Sequence, residues 1–332
     1  MDAAPAGPWY NGTMKLACTG NALMDVVAFV DSGLPASLGL VPGSTEHADP
    51  GRVERVLAAL EDPFSTAGGG AANTARVFVA LGGRAAFAGS VGRDGQGRTY
   101  ARDLAAAGVE LELQESDRAT GVFCALIDRD GRRSVIVDPG AASALSPDLI
   151  PDSFFDPGAV LYADGYLATV PGRLEAVVER ARAAGMKVAL DLGGHRLATA
   201  NADLFRDLVA RHCDWTFMNE DEFAAFSGLG MEAGLERLSA EARGTLVVKR
   251  AEEGAACWVD GRLVESPVRS IRALDDTGAG DAFAAGFLLA ALSGAPVERC
   301  LRLGNRVAEH AIQVPGMALD RERLRRAADA LR

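Results

Sequence analysis

Asp275-Asp276-Thr277-Gly278-Ala279-Gly280-Asp281, running into Ala282-Phe283-Ala284-Ala285-Gly286-Phe287-Leu288-Leu289, is the stretch on which the reading of this chain turns. Turn-permissive residues come first, then an acid, then a mostly apolar run of helical composition. Gly278 and Gly280 carry no Cβ, so the backbone can turn sharply and approach a ligand. The run after Asp281 predicts a buried helix whose N-terminus lies at the glycines. The first amides of a helix lack internal partners and the dipole is positive there, which makes an anion site. A carboxylate at its mouth can take a proton from a hydroxyl while the amides hold a phosphoryl group. The pattern therefore points to phosphoryl transfer onto an alcohol. Alone it also fits an ordinary loop with Asp281 favouring the helix start, because short motifs match by chance.

The bulk numbers narrow the field. The 332 residues suffice for one large α/β domain or two smaller ones, and 48% apolar residues supply a sizeable core. A net charge of −11, with no basic-aromatic stripe, argues against nucleic acid as partner. Five scattered cysteines without a CxxC pair indicate neither a disulfide framework nor a zinc site, and a reducing cytoplasm fits that usage. No apolar run reaches the roughly 20 residues of a spanning helix, so no membrane partner is expected. Residues 1–13 lack a signal-peptide pattern and read as a flexible tail.

From the N-terminal side, residues 15–18 lead into Gly20-Asn21-Ala22-Leu23-Met24-Asp25 and an apolar run to Val30. This predicts a strand, a turn at Gly20-Asn21 and a return strand. Asn21 and Asp25 are short polar side chains suited to binding hydroxyls; turn chemistry and a solvated acid fit them equally well. Residues 31–56, with Pro35, Pro42 and Pro50, read as an irregular excursion with a short strand near 38–41, and 53–60 as the start of a helix or a strand. Gly68-Gly69-Gly70-Ala71-Ala72-Asn73-Thr74 then opens a helix of small residues that stops at Gly82. Asn73, in its first turn, can donate to and accept from a substrate, or serve as a cap. Residues 120–127 and 134–138 flank Asp128-Arg129-Asp130-Gly131, a hairpin signal, and are expected to form a small sheet with the excursion. From Val160 onward strands and helices alternate. That alternation predicts a mostly parallel sheet with helices on both faces and ligands at the carboxyl ends of its strands.

Two stretches together carry a recognisable pattern. Gly68-Gly69-Gly70-Ala71-Ala72-Asn73-Thr74, followed by Gly89-Ser90-Val91-Gly92-Arg93-Asp94-Gly95-Gln96-Gly97, resembles the first signature of the ribokinase-like (PfkB) carbohydrate and nucleoside kinases. Asp275–Asp281 with Ala282-Phe283 resembles the second, and Asn219-Glu220-Asp221-Glu222 fits the family's Asn-x-x-Glu motif between them. The order and spacing match from about residue 15 to the end, and no Walker A pattern occurs. The Gly20–Asp25 opening, Gly165-Tyr166-Leu167 and Phe217–Glu222 look closest to bacterial adenosine-kinase-like members.

The resemblance implies an α/β fold: a three-layer αβα (Rossmann-like) domain with a mostly parallel central sheet and a small β-sheet lid. The kinase core would comprise 14–30, 57–118 and 140–332, the lid 31–56 and 119–139. It implies Asp281 as general base and the amides of Gly278, Ala279 and Gly280 as anion hole. Asn21, Asp25, Gly68, Gly69, Gly70 and Asn73 would bind the acceptor; Asn219, Lys249, Gly254, Thr277 and Asn305 the nucleotide. Glu222 would organise Mg2+ through water. ATP and Mg2+ are the implied cofactors, with a monovalent cation such as K+ left open. The acceptor would be a nucleoside or a sugar, and the protein a monomer or a dimer through its lid. Phe29, Leu40 and Phe123 are candidate walls for a nucleobase. Asp276 departs from the family's usual Thr and would either repel phosphates or point outward; Ala142 departs from a usual Asn, and Gly70 from a small hydroxyl residue.

Overall fold

The computed structural model describes residues 15–269, 271, 273–315, 317 and 319–329; the expected tail at 1–13 lies outside them. Fourteen strands are described: β1 (Lys15–Thr19), β2 (Leu23–Val30), β3 (Thr45–His47), β4 (Phe64–Gly68), β5 (Arg84–Gly92), β6 (Glu110–Ser116), β7 (Thr120–Asp128), β8 (Arg133–Gly140), β9 (Ala159–Asp164), β10 (Lys187–Asp191), β11 (Trp215–Asn219), β12 (Thr245–Lys249), β13 (Ala255–Val259) and β14 (Arg262–Ser266). Nine form one sheet in the order β14-β13-β12-β11-β10-β9-β1-β5-β6. Pairing is parallel from β12 to β6 and antiparallel at β13 and β14.

Alternation along the strands feeds two cores. Leu16 and Cys18 point into one, against the helices Gly70–Ala80, Ala279–Leu292 and Val297–Ala311. Ala17, between them, points into the other, against the helices Arg173–Ala183, Ala202–Arg211 and Met231–Glu241. This is the predicted sheet with helices on both faces. The helix Ala279–Leu292 is apolar almost all round and ten of its residues are buried, as a helix between two layers must be. Phe283 and Phe287 pack on Phe217 of β11, edge to face, with centroids 6.4 and 5.3 Å away. That packing fixes the first turn of the helix over the strand ends.

The second sheet has five strands in the order β3-β8-β7-β2-β4. It takes more of the chain than the expected lid segments. Leu23–Val30 does not return along β1; it pairs with β7 in parallel and β4 antiparallel. Thus β2 and β4 belong to the small sheet, although the sequence places them with the core. The reason is that Gly20–Ala22 carries the chain out of the large sheet instead of reversing it, and a strand's partner is not written in its own pattern. The strand expected near 38–41 is absent; a short helix Leu34–Ser37 and the strand β3 occupy that region. The segment beginning at Val53 is helical, Pro50–Ala58, capped by Asp49, whose side chain accepts from the Arg52 amide.

Candidate active site

In the large sheet β12, β11, β10, β9 and β1 lie side by side and parallel. Their carboxyl ends therefore present one row of side chains: Lys249, Asn219, Asp191, Asp164 and, two residues past β1, Asn21. Register fixes the row, with Asp164 beside Asp191 and Asn219 beside Lys249. Above it, the small sheet and the first turns of the helices Gly70–Ala80 and Ala279–Leu292 close a cleft of ≈ 630 Å³.

Asn73 joins the two halves of the site. Its Nδ2 donates to Oδ2 of Asp25 at 3.4 Å and to Oδ2 of Asp281 at 3.3 Å. Its Oδ1 is buried with no hydrogen-bond partner among the described residues. Residues 25, 73 and 281, far apart in sequence, thus meet at one point. The glycines make this contact possible. A Cβ on Gly68 would stand 2.0 Å from the Asp25 carboxyl group, and one on Gly70 3.2 Å from Oδ1 of Asp281. Gly69, at φ +90°, turns the chain where few L side chains can follow. Gly69 and Gly70 line the cleft; Gly68 stands behind Asp25, its carbonyl taken by the Tyr100 hydroxyl at 3.1 Å.

At the anion loop, Gly278 caps the helix at φ +74° and lines the cleft with Gly280 and Asp281. The Ala279 amide is spent within the turn, donating to the Asp276 carbonyl at 3.1 Å. Thr277 lines the cleft, but its amide and hydroxyl both donate to Oδ1 of Asp275. Asp276 points away from the floor and pairs with Arg133 of β8 at 2.9 Å, the outward of the two orientations the sequence allowed. Asn219 and Glu222 form a capping box at the helix Glu220–Ser227: Asn219 Oδ1 accepts from the Glu222 amide, and Glu222 accepts from the Asn219 amide. Glu222 also takes the Asn219 side-chain amide at 3.0 Å. Gly254 and Asn305 lie outside the cleft lining. Asn305 Nδ2 donates to the Ser266 carbonyl at 2.7 Å, and Gly254 turns at φ +88° beside it. Of the three apolar candidates only Phe123 lines the cleft; Leu40 is core, and Phe29, 56% exposed, lies at the outer end of β2.

Sequence reasoning missed Asp164, Asp191 and Arg133. The first two are acids at the last position of strands it did predict, and the rule placing ligands at strand carboxyl ends was enough to find them. They set the electrostatics. Lys249 Nζ reaches across β11 to Oδ2 of Asp191 at 2.6 Å. Burial pushes Asp164 up to about 7, with Asp191 repelling its charge and the Tyr166 amide opposing the shift. Burial likewise raises Asp25 to about 6, against the Asn73 hydrogen bond and the Arg76 charge. Glu222 rises to about 7 through burial and Asp191. Asp281 is pushed well above the usual carboxylate range by burial and by Asp191 and Asp164, with Lys249 and Asn73 opposing. A proton acceptor of raised affinity suits a base, but its ionised form depends on nearby positive charge.

No three His, Cys, Asp or Glu side chains among the described residues are grouped to hold a metal ion on their own. The residues fit Mg2+ held chiefly by phosphate oxygens and water, with Glu222 and Asn219 behind them. No helix among the described residues is long and apolar enough to cross a membrane.

The sequence matches the pfkB family of carbohydrate kinases over residues 15–323. The chain belongs to that family. As a PfkB kinase it is a phosphotransferase with an alcohol group as acceptor, and the family reaction brings ATP. It is 33% identical over 254 residues to an ATP-dependent ribose-1-phosphate kinase of Halopiger xanaduensis, covering 75% of this PfkB kinase and 81% of the relative. Adenosine kinase 1 of Arabidopsis thaliana is 26% identical over 326 residues, covering 90% and 93%. Among solved structures, the adenosine kinase from Sinorhizobium meliloti superposes with a TM-score of 0.86 at 28% identity, covering 97% of this chain and 99% of that one.

Proposed function

We propose that this PfkB kinase transfers the γ-phosphoryl group of ATP to the primary hydroxyl of a purine nucleoside such as adenosine, with Asp281 as general base. The observation that carries the reading is the Asn73 bridge. It ties the base to Asp25, and all three side chains line one cleft, so a sugar hydroxyl held by Asp25 lies beside the group that takes its proton. Asp25 and Asn21 hold the sugar hydroxyls. Leu23, Phe123, Val135 and Val137 of the small sheet offer a nucleobase an apolar wall, and that sheet serves as the lid.

The hydroxyl oxygen attacks Pγ, the bond from Pγ to the β–γ bridging oxygen breaks with its electron pair going to ADP, and the hydroxyl proton passes to Asp281. The amides at Gly278 and Gly280 face the transferred group. Mg2+, when bound, neutralises phosphate charge beside Asn219 and Glu222. Thr277 flanks the phosphates, and Gly254 and Asn305 lie on the adenine side. A K+ contribution rests on the family resemblance, and exchanging K+ for Na+ in the assay tests it.

A second reading, a sugar bearing an anionic group, is favoured by Arg133 and His47 in the cleft lining. Asp276 already pairs with Arg133, so the neutral nucleoside stands first. The test is ADP release from Mg·ATP with adenosine, ribose, fructose and ribose 1-phosphate. The highest kcat/KM with adenosine supports the first reading; preference for ribose 1-phosphate establishes the second.

A further inference from the structure

Two full cations line the cleft among the described residues. Arg133 sits at the rim with Asp276. Lys249 sits at the floor, and the site around it is built to keep it there. Asp191 holds its Nζ at 2.6 Å, and Asp191 is itself fixed: the Gly193 amide donates to Oδ1 at 3.1 Å and the Tyr162 hydroxyl to Oδ2 at 3.4 Å. The ammonium lies directly under the first turn of the helix that carries Asp281. A Cβ on Gly280 would stand 3.1 Å from Nζ, so the glycine leaves that approach open. Asp25, Asp164, Asp191, Glu222 and Asp281 all line the same space. A transferring phosphoryl group cannot lie among so many carboxylates without a fixed positive charge at its oxygens.

We infer that Lys249 is a catalytic residue whose ammonium contacts the γ-phosphoryl oxygens beside Gly280, and that Asp191 is the residue that positions it. The inference rests on the kinase reading above. Lys249 keeps all its protons through the reaction; bond-making at Pγ, bond-breaking toward ADP and proton transfer to Asp281 are unchanged. Although burial disfavours its charge, Asp191 and Glu222 outweigh burial and raise its proton affinity, so it is charged throughout the neutral range. Asp191 keeps the flexible side chain from collapsing onto Asp281 or Glu222, the other carboxylates that act on it.

The test has an arm that needs no acceptor. Lys249→Met should weaken binding of a non-hydrolysable Mg·ATP analogue about tenfold while ADP affinity stays within about threefold, because only the γ group touches the ammonium. In turnover, kcat should fall about 10²–10³-fold with the acceptor KM little changed, and ethylammonium should restore part of the activity of Lys249→Ala. A purely structural lysine would lower the melting temperature and both affinities together and would not respond to the amine. Lys249→Met with wild-type analogue affinity, or wild-type kcat, overturns the assignment. If both lysine variants fail to fold, Asp191→Asn decides: lower kcat at an unchanged melting temperature supports it, and unchanged kcat overturns it. A wild-type protein that turns over none of the acceptors contradicts the proposed function, whereas the analogue-binding contrast still judges Lys249.

Discussion

Asp164 should make the folded protein less stable as the pH rises, and Asp164→Asn should remove that dependence. The carboxyl group is buried at the end of β9, and its folded-state value is about 7 against an ordinary 3.8. A carboxyl group raised on folding binds its proton more tightly in the native state than in the unfolded chain. Its stabilising share is therefore full below about pH 4 and is lost as pH rises through 7. Three units at about 1.4 kcal/mol each give roughly 4 kcal/mol as the upper bound of the cost of ionising it in place. Asparagine keeps an oxygen for the Tyr166 amide, which Oδ1 now accepts at 2.9 Å, and carries no charge. The two proteins should melt closest together near pH 4, and the gap should widen with rising pH; at pH 8 the variant should melt several degrees higher, at about 2 °C per kcal/mol for a chain of this size. Asp25, Glu222 and Asp281 are raised in the same direction and titrate in both proteins; Asp164 also acts on Asp281, and removing its charge eases ionisation there, which adds to the difference with the same sign. Calorimetry or urea titration at the two pH values measures it. Parallel stability curves for wild type and variant would refute a burial-driven shift at this position.

The other expectations concern the reaction. Asp281→Asn should fold normally and lose about 10²–10⁴-fold in kcat; near-wild-type turnover would remove the assigned base. In the wild type kcat/KM should climb with pH through the raised Asp281 value, since only the ionised form accepts the proton, and a flat profile between pH 5 and 9 would contradict it. Asp25→Ala should raise the acceptor KM and leave ATP binding largely intact; equal loss for both ligands would make Asp25 structural. Gly68→Ala places a Cβ 2.0 Å from the Asp25 carboxyl group, so it should reproduce the acceptor-KM defect without touching a ligand itself, and an unaltered KM would show that Asp25 is free to move.

The glycine loops, the small-residue helix from Gly70 and the βα alternation after Val160 were legible because each is a local pattern with a local cause. A helix start, a positive-φ turn and a fully buried strand are visible within ten residues of sequence. Sheet membership was less legible. Leu23–Val30 has the alternation of any half-buried strand, and nothing in it states that its neighbours are β7 and β4 rather than β1. Pairing is settled by long-range packing of Met24, Val26, Cys124 and Ile136 into one core, which no single segment encodes. The motif-derived residues divide on the same ground. Asn73, Asp25 and Asp281 converge, whereas the Ala279 amide is consumed by the turn that makes the loop.

Asp276 shows how a departure from a family pattern becomes interpretable only in three dimensions. Read along the chain, it is one more negative charge that either repels phosphates or points outward. In the fold its partner is Arg133, 143 positions away on the small sheet. The pair spans the cleft mouth from the small sheet to the loop before the helix Ala279–Leu292, and Arg133 also lies 5.3 Å from the centre of the Phe123 ring. A half-exposed ion pair of this kind contributes at most about 1 kcal/mol, so it does not lock the small sheet onto the loop. Its effect is on charge: Asp276 offsets the arginine at the rim as Asp191 offsets Lys249 at the floor, so each of the two cations lining the cleft among the described residues is held by its own acid. The proposed preference for a neutral acceptor and the inferred role of the floor cation therefore rest on the same distribution of acids, five facing inward and one facing the rim.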